Sequence, residues 1–380
     1  GEEEIEILFD EDDNLVDPSL MDSDQQTEFN DNLAEFLDSS TLSEISSQVL
    51  TNFQNDLDSR EDWYETFKDG LELLGIQNDP RSEPFEGASG VYHPLLAEAV
   101  THFQAQAYKE LLPANGPVDT KVMGASSDPK AMQANRVKDF MNYQLLYKME
   151  EYDPEMDQML FFLPLAGSAF KKCYFDPAIG RIVSRFIKAE DLVVPYSATD
   201  LHTSPRITHR MSMTENDLLK LQLSGFYIDT DMNAPMYGGD NDSVQSKIDE
   251  IDGVTRTGDQ HDFTLLECHT ELDIEGFEHT DSEGEPTGLA LPYIVTVCKD
   301  TNDVLAIRRN YVETDPMRKK VEYFTHFKFL PGLGFYGFGL IHMIGGVTKS
   351  ATAILRQLID AGTLANLPAG FKARGLNIQR

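Results

Sequence analysis

Long apolar runs, cysteines and basic residues are all scarce in this sequence of 380 residues. No stretch approaches the ~18 consecutive apolar residues that span a bilayer, and residues 1–10 lack the basic and apolar blocks of a secretory signal. The three cysteines, Cys173, Cys268 and Cys298, form no CxxC pair, which argues against a disulfide framework or a cysteine zinc site. We expect reduced core thiols in a cytosolic assembly.

Basic residues are far fewer than acidic ones. The chain has 31 basic and 65 acidic residues, which leave a formal charge of -34. A protein that grips nucleic acid or lies on an anionic membrane needs positive faces, so this balance argues against both modes of action. Hydrophobic residues make up 41% of the chain, enough for two or three packed domains.

The charge is unevenly distributed along the chain. Residues 1–60 contain 18 acids and one base, and this composition predicts an acidic, largely flexible N-terminal arm. Alternatively, Leu33, Phe36 and Leu37 dock as a short helix on a partner. The sign reverses over 301–380, where 11 bases face five acids.

Residues 61–168 show helical periodicity and are predicted to form a helical region. One helix is expected over 61–74, with Ser59 and Asp62 as a capping box. A second is expected over 94–112, between two prolines. A third is expected over 131–152, ended by Asp153-Pro154 and followed by a shorter helix to about Leu165.

The apolar period changes to two in the next region, 169–330, which is predicted to be rich in β-structure. A hairpin is expected over 170–188, and short extended pieces over 192–196 and 206–213. Thr214 with Asp217 caps a helix that ends at Gly225. The polar stretch 229–260 is interpreted as a mobile acidic loop. Four strands are then expected, over 263–274, 293–298, 304–311 and 321–329. The fold class is therefore α+β.

Residues 331–380 combine a glycine- and aromatic-rich loop, 331–339, with a long helix over 346–367. The loop matches GxGxxG between Gly332 and Gly337, but it lacks the βαβ context and contains bulky aromatic residues, so dinucleotide binding is not favoured. The stretch 345–350 resembles a phosphate loop, yet Thr348 replaces the glycine that precedes the lysine. We expect no nucleotide cofactor.

Metal and catalytic motifs are also weak. Four residues fall at calcium-loop positions, but the turn glycine of that motif is missing; they are Asp229, Asp231, Asn233 and Asp240. The nearest histidine cluster, His261, Cys268 and His269, lies on a predicted strand whose neighbouring residues point to opposite faces. No GxSxG motif is present. The sequence predicts no catalytic residue, cofactor or metal, and so no enzyme.

Several charged residues remain as candidates for function. The tract Arg318, Lys319 and Lys320 is interpreted as a solvated basic edge, with phosphate contact as the less favoured alternative. Arg356 and Asp360 lie four residues apart on the last helix, where a surface ion pair is favoured over a ligand site. Lys349 on the same helix is the candidate of most interest.

Three stretches together resemble one family, the portal proteins of tailed double-stranded DNA bacteriophages, in the short-tailed phage type. The first is HPLLAEAV at 93–100, leading to GPV at 116–118. The second is EDLVVP at 190–195, followed by PRITHR at 205–210. The third is GFYGFG at 334–339, running into RQLIDAG at 356–362. Each consists of packing and turn residues, so their order and separation carry the resemblance.

The resemblance implies a ring of twelve subunits at one capsid vertex, through which DNA enters and leaves. Its partners would be the major capsid protein, the terminase large subunit, a tail adaptor and weakly bound double-stranded DNA, with no membrane. Such a protein resides in the virion, is assembled in the host cytoplasm and is not an enzyme.

On the same resemblance, residues up to about 331 correspond to a portal wing, and the helix 346–367 to a stem helix. The clip and tunnel loop would then follow Arg380. The helix and its continuation supply candidate residues for a DNA tunnel or a subunit interface: Lys349, Arg356, Asp360, Lys372 and Arg374. The alternatives are an acidic adaptor or scaffold protein of a viral particle, and an enzyme that processes nucleic acid during packaging.

Overall fold

A computed structural model describes most of the chain. The described residues are 8–9, 15–16, 28–76, 81–124, 127–176, 179–230, 243–252, 262–280 and 285–366. The candidates Lys372 and Arg374 lie outside them, as do His261 and the calcium-loop residues Asp231, Asn233 and Asp240.

The described residues form eight α-helices and ten strands, which confirms a mixed α+β class with a long C-terminal helix. The helices are α1 Ser39–Asp58, α2 Glu61–Leu71, α3 Leu95–Leu111, α4 Asp128–Tyr143, α5 Tyr152–Ala166, α6 Glu215–Leu223, α7 Ser243–Asp252 and α8 Leu340–Asn366. The strands are β1 Leu8–Phe9, β2 Leu15–Val16, β3 Ser168–Asp176, β4 Arg181–Ile187, β5 Leu192–Val193, β6 Arg206–Thr214, β7 Asp262–Leu272, β8 Leu291–Cys298, β9 Val304–Arg309 and β10 Phe324–Lys328.

Two antiparallel sheets form the centre of the molecule. One has three strands in the order β10-β3-β4, and the other has five in the order β5-β6-β7-β8-β9. The predicted hairpin is confirmed, since Phe170 pairs with Ile187 and Asp176 with Arg181. The four strands predicted after residue 262 are confirmed as β7 to β10. A separate two-stranded pair joins β1 and β2.

The helices of 61–168 follow the predicted order with different ends. The capping box is wrong, because Arg60 occupies the N-cap of α2 and the Ser59 hydroxyl donates to the carbonyl of Asp56. The third helix ends earlier than predicted: α4 passes into a π-helical turn, Gln144–Lys148. Pro154 lies in the first turn of α5 rather than after a helix, because a proline there costs no helical hydrogen bond.

The segment 28–60 corrects the prediction of a flexible arm. Helix α1 buries Ile45, Val49 and Phe53 on one face, and Phe53 packs with residues of β5 and β7. Asn32 fixes the preceding turn, because its amide donates to the carbonyl of Leu305 and accepts from the amide of Ile307 on β9. Leu33 is fully buried against the chain's own sheet, so it does not dock on a partner.

The acidic loop predicted over 229–260 contains helix α7. Ile248 and Ile251 of this helix pack against the main core, and the Lys247 ammonium lies 3.0 Å from the Glu72 carboxylate beside α2. Residues 243–252 are therefore a packed helix rather than part of a loop. The flanking parts of the prediction, 231–242 and 253–260, lie outside the described residues.

The largest core lies where α2, α3, α8 and both sheets meet. Its fully buried side chains include Phe67, Leu96, Phe170 and Leu192. A second core fills the space between α1 and the five-stranded sheet. Among the described helices, none is both long enough and apolar enough to cross a membrane.

Candidate functional site

The long helix α8 is closely packed on one side. Ile341, Gly345 and Thr348 are buried on that face. A Cβ added at Gly70 of α2 would lie 2.3 Å from Ile341, and one added at Gly345 would lie 3.4 Å from Leu73. The two small residues thus let α2 and α8 approach each other, and this contact fixes the direction in which α8 points.

The other side of α8 carries an exposed apolar stripe. We define the α8 stripe as Met343, Val347, Ile354 and Leu358, which share one face because they are spaced four, seven and four residues apart. Ile354 is 67% exposed and Leu358 is 70% exposed. Exposed apolar side chains aligned along one helix face indicate a surface that another molecule covers.

Polar residues at the margin of the packed face hold the segment 89–93. The Arg356 guanidinium donates to the carbonyl of Val91 at 2.8 Å and lies 4.3 Å from the centre of the Tyr92 ring. The carboxylate of Asp360 accepts from the amide of Ser89 at 2.7 Å. The hydroxyl of Thr352 accepts from the amide of His93 at 3.0 Å.

The predicted surface ion pair between Arg356 and Asp360 is therefore wrong. Asp360 is buried, and both side chains bond to the backbone of a distant segment instead of to each other. A buried acceptor needs a hydrogen-bond donor, and the backbone of 89–93 supplies one without a second charged group. These two residues position α8 against the start of α3.

A groove of about 710 Å³ runs beside α8 and opens to solvent. Lys349 and Arg356 line it from α8, while Asp69 and Glu72 line the opposite side. Lys349 is exposed and, among the described residues, has no ion-pair partner. Because the walls carry both signs of charge, the groove lacks the uniformly positive lining that phosphate recognition uses.

The predicted basic edge is only partly exposed. The Lys320 ammonium donates to the carbonyls of Leu201 and Ser204 at 3.0 and 2.9 Å, and burial lowers its pKa. The Arg318 guanidinium lies 4.9 Å from the centre of the Tyr311 ring. Lys319 alone of the three is exposed. Lys320 thus joins two loops, and the prediction of a solvated edge is wrong for this residue.

A buried arginine that the sequence did not single out, Arg60, joins three segments. Arg60 donates to the carbonyls of Ala189 and Leu192 at 2.9 and 3.0 Å, and also to the carbonyl of Glu190. A fourth bond runs to the hydroxyl of Tyr336 at 2.7 Å. We call this group the Arg60 junction. The only feature that distinguishes Arg60 in the sequence is that it is the sole base in an acidic segment.

The glycine-rich loop serves close backbone packing rather than phosphate binding. A Cβ at Gly337 would lie 2.4 Å from the carbonyl oxygen of Gly167, and one at Gly339 would lie 2.2 Å from that of Leu165. Phe335 enters the main core. The amide of Gly337 donates to the hydroxyl of Ser168 at 2.8 Å. The glycines therefore seat the loop against the end of α5, which agrees with the rejection of a dinucleotide site.

A buried charged cluster connects the two sheets. The ammonium of Lys172 on β3 lies 2.6 Å from a carboxylate oxygen of Glu267 on β7, and His269 lies 2.8 Å from the other oxygen. Burial alone would raise the pKa of Glu267, but the charge of Lys172 and the hydrogen bond from His269 hold it well below its usual range. Burial lowers the pKa of His209 to about 4. Most of the surface of Lys172 and Glu267 is shielded from solvent, and their ion pair links the two sheets.

Glu190 is a second buried acid, in a different situation. Neither of its carboxylate oxygens has a hydrogen-bond partner, and the nearest cation, the Lys188 ammonium, is 4.0 Å away. Burial, together with the negative charge of Asp191, raises the pKa of Glu190 to about 7. This side chain is therefore protonated or ionised according to pH within the physiological range.

The thiols and histidines show no reactive arrangement among the described residues. Cys268 is buried, burial raises its pKa to about 11, and its sulfur accepts from the hydroxyl of Thr208 at 3.5 Å. Cys298 is also buried, whereas Cys173 is exposed, so the prediction of core thiols fits two of the three. Within the part of the chain that is described, no three metal-ligating side chains come together.

No family model matches the chain, and no curated protein matches it.

Proposed function

We propose that this chain is a subunit of a bacteriophage portal, the head-to-tail connector of a short-tailed double-stranded DNA phage. Twelve copies would form a ring at one capsid vertex in the virion, after assembly in the host cytoplasm. The ring would pass double-stranded DNA during packaging and ejection. It would bind the major capsid protein, the terminase large subunit and a tail adaptor, and it would catalyse no reaction itself.

The observation that carries the proposal is that the three stretches of the resemblance pack together. Leu96 and Val100 of the first stretch lie in the main core with Leu192 and Ile207 of the second and Phe335 of the third. The polar contacts agree, because Arg356 of the third stretch bonds to Val91, just before the first stretch, and Thr352 bonds to His93, the first residue of that stretch. Segments that lie far apart in sequence thus form one structural unit, as expected if they belong to one family pattern.

The α8 stripe supports the assembly part of the proposal. In a closed ring each subunit uses two different surfaces, one for each neighbour. A long helix that is fixed on one side and apolar on the other fits a stem helix that contacts its neighbours. Residues 61–330 would form the wing in this arrangement, with the Arg60 junction and the charged cluster keeping it rigid.

The charge balance supports the conduit part of the proposal. Duplex DNA has one phosphate per ~1.7 Å, and each phosphate that a protein neutralises adds affinity. A formal charge of -34 favours repulsion, so that DNA can move without being held. Lys349 is the exposed exception on α8.

Particle mass and shape test the proposal directly. Mass photometry and negative-stain microscopy of the purified chain are expected to show rings of about a dozen copies with a central opening. The double variant Ile354→Glu/Leu358→Glu should abolish the rings. The matched control Ala353→Glu/Gln357→Glu adds the same charges to exposed positions outside the α8 stripe and should retain them.

A uniform monomer or dimer would overturn the ring and favour an acidic adaptor or scaffold protein. DNA binding gives a second readout, for which we expect a dissociation constant for linear duplex DNA weaker than about 1 µM at 150 mM salt. Nanomolar binding at that salt concentration would contradict a conduit. Hydrolysis of nucleotide or cleavage of DNA would contradict the absence of catalysis.

A further inference from the structure

Residues 113–124 and 127–148 form an arm that leaves the helical region and returns to it. The arm begins after α3 and ends before α5, and these two helices are joined directly. The Tyr108 hydroxyl donates to the Asp153 carboxylate at 2.8 Å, and the Gln104 amide donates to that of Asp157 at 2.8 Å. Because α3 and α5 are already connected at the base of the arm, the body of the protein does not need the arm to complete its packing.

The polar groups on the inner side of the arm form their hydrogen bonds within the arm. Asn142 is buried, accepts from the amide of Val118 at 2.9 Å and donates to its carbonyl at 3.0 Å. Thr120 donates to the carbonyl of Ala134 at 3.0 Å. Among the described residues, the hydrogen bonds and ion pairs made by side chains of 128–148 stay within the arm. The arm is a self-contained unit.

The outer side of the arm is apolar and exposed. Phe140 is 62% exposed and Tyr147 is 73% exposed. We define the arm face as these two residues with four further exposed apolar side chains: Met132, Val137, Met141 and Tyr143. None of the six belongs to a hydrophobic core among the described residues.

The sequence pattern makes this exposure informative. Val137, Met141 and Leu145 recur at four-residue spacing, which predicts a stripe that packs against something. The single chain leaves Val137 and Met141 exposed. Monomers rarely leave apolar patches of this size uncovered, and such patches mark interaction sites. Helix α4 therefore has the apolar spacing of a helix that packs on a neighbour, but no neighbour covers these residues among the described residues.

The charge of the arm indicates what kind of molecule covers the arm face. Residues 128–148 contain four bases and two acids, whereas the whole chain contains 31 bases and 65 acids. A mildly basic arm on a strongly acidic protein is attracted to the surface of another copy. DNA would satisfy the bases but would leave Met132, Val137 and Met141 uncovered, so a protein surface fits both the charge and the apolar side chains.

We infer that the arm face packs on a second copy of this chain. The inference rests on the proposed function in that a ring brings copies side by side, but it does not need twelve members. It also supplies a second contact surface, distinct from the α8 stripe, as the head-to-tail contacts of a ring require.

Substitutions on the full chain test the inference. Phe140→Glu and Tyr147→Glu should each raise the protein concentration needed for half-assembly at least tenfold. Both side chains are already exposed, so the circular dichroism spectrum should not change, and neither should the melting temperature when it is measured below the concentration at which the protein assembles. Asn135→Glu is the matched control, since it adds one charge at an exposed position of α4 outside the arm face and should leave assembly unchanged.

Photocrosslinking supplies an independent readout. Benzoylphenylalanine at position 140 should give a covalent pair of chains, mapped by mass spectrometry to a peptide of the second copy, and at position 135 it should give none. Crosslinks that stay within one chain would overturn the inference. So would crosslinks only to added duplex DNA, to phosphatidylcholine vesicles or to an added foreign protein.

The outcomes separate this inference from the proposed function. If the α8 variants abolish the rings while Phe140→Glu leaves assembly intact, the arm inference fails and the portal proposal stands. If the chain forms only a smaller oligomer that Phe140→Glu dissociates, the arm inference stands and the ring fails. If the wild-type chain remains a monomer up to 100 µM, both fail.

Discussion

Replacing Arg60 by methionine tests the junction that joins α2 to the segments at 189–192 and 336. Methionine preserves an unbranched, apolar stem and removes every donor. The guanidinium is buried, donates to three backbone carbonyls and one hydroxyl, and lies 5.7 Å from the centre of the Trp63 ring. We expect Arg60→Met to be among the most destabilising single changes in the protein.

The magnitude follows from the bonds that are lost. A hydrogen bond from a charged donor contributes about 1.5–3 kcal/mol, and a buried acceptor left without a donor costs about 1–3 kcal/mol. The carbonyl of Leu192 keeps one donor, the Tyr336 hydroxyl, at 3.0 Å, so the full penalty falls on the carbonyls of Ala189 and Glu190. The substitution also removes the desolvation cost of a buried charge, which offsets part of the lost stability. We expect the free energy of unfolding to fall by about 3–5 kcal/mol.

The assay can use the chain's one tryptophan. Trp63 stacks on the Tyr336 ring at 4.6 Å and on the Phe67 ring at 5.7 Å, so its fluorescence in urea titrations reports on this junction. Arg185→Met is the control, because Arg185 is half exposed and forms a surface ion pair with Glu155, worth about 0–1 kcal/mol. A loss below about 1 kcal/mol for Arg60→Met would refute the reasoning.

Three further predictions concern other buried contacts. Folding raises the pKa of Glu190 from 4.5 to about 7, so stability is present below pH 4.5 and is lost as pH rises to 7; Glu190→Gln should remove that loss, adding up to about 3 kcal/mol at pH 8 in urea titrations. Gly337→Ala should cost about 1–3 kcal/mol in thermal or urea unfolding, because the new methyl group meets the Gly167 carbonyl, and a neutral result would contradict this. Lys172→Met should cost about 3–5 kcal/mol by leaving Glu267 buried without its cation, whereas Lys172→Met/Glu267→Met should be closer to wild type; equal losses would contradict coupling between the two charges.

Local signals account for the parts of the fold that could be predicted from the sequence. The hairpin and the four later strands follow from an apolar period of two and from turn residues. The helix after Thr214 follows from a cap that the structure contains, since the Thr214 side chain accepts from the amide of Asp217. These patterns are complete within ten or twenty residues, so no distant contact is needed to recognise them.

Helix α1 could not be predicted by the same reasoning, although its pattern is present. Ile45, Val49 and Phe53 recur every four residues, but the acidic average of residues 1–60 concealed them. What stabilises the segment comes from elsewhere in the chain: Asn32 bonds to β9, and Asp56 pairs with Arg206 of β6 at 2.7 Å. Average composition predicts disorder only when no such partner exists.

The candidate site likewise depends on distant contacts, which the sequence could not reveal. The sequence singled out Arg356 and Asp360 and predicted a pair between them, because i and i+4 residues are neighbours on a helix. Their actual partners lie more than 260 residues earlier in the chain, and spacing along one helix contains no information about them. The Arg60 junction was missed for the same reason, since its acceptors lie at 189–192 and 336.

Several basic residues of this chain form hydrogen bonds inside the protein, and this bears on the proposal that the chain is part of a DNA conduit. Five of them donate to backbone carbonyls of distant segments: Arg60, Arg308, Arg309, Lys320 and Arg356. A guanidinium or ammonium that is held by carbonyls is not available to neutralise phosphate. The positive charge that remains exposed is therefore less than the count of 31 bases suggests. Such a surface opposes tight binding of a duplex, which is the property that a conduit for moving DNA requires.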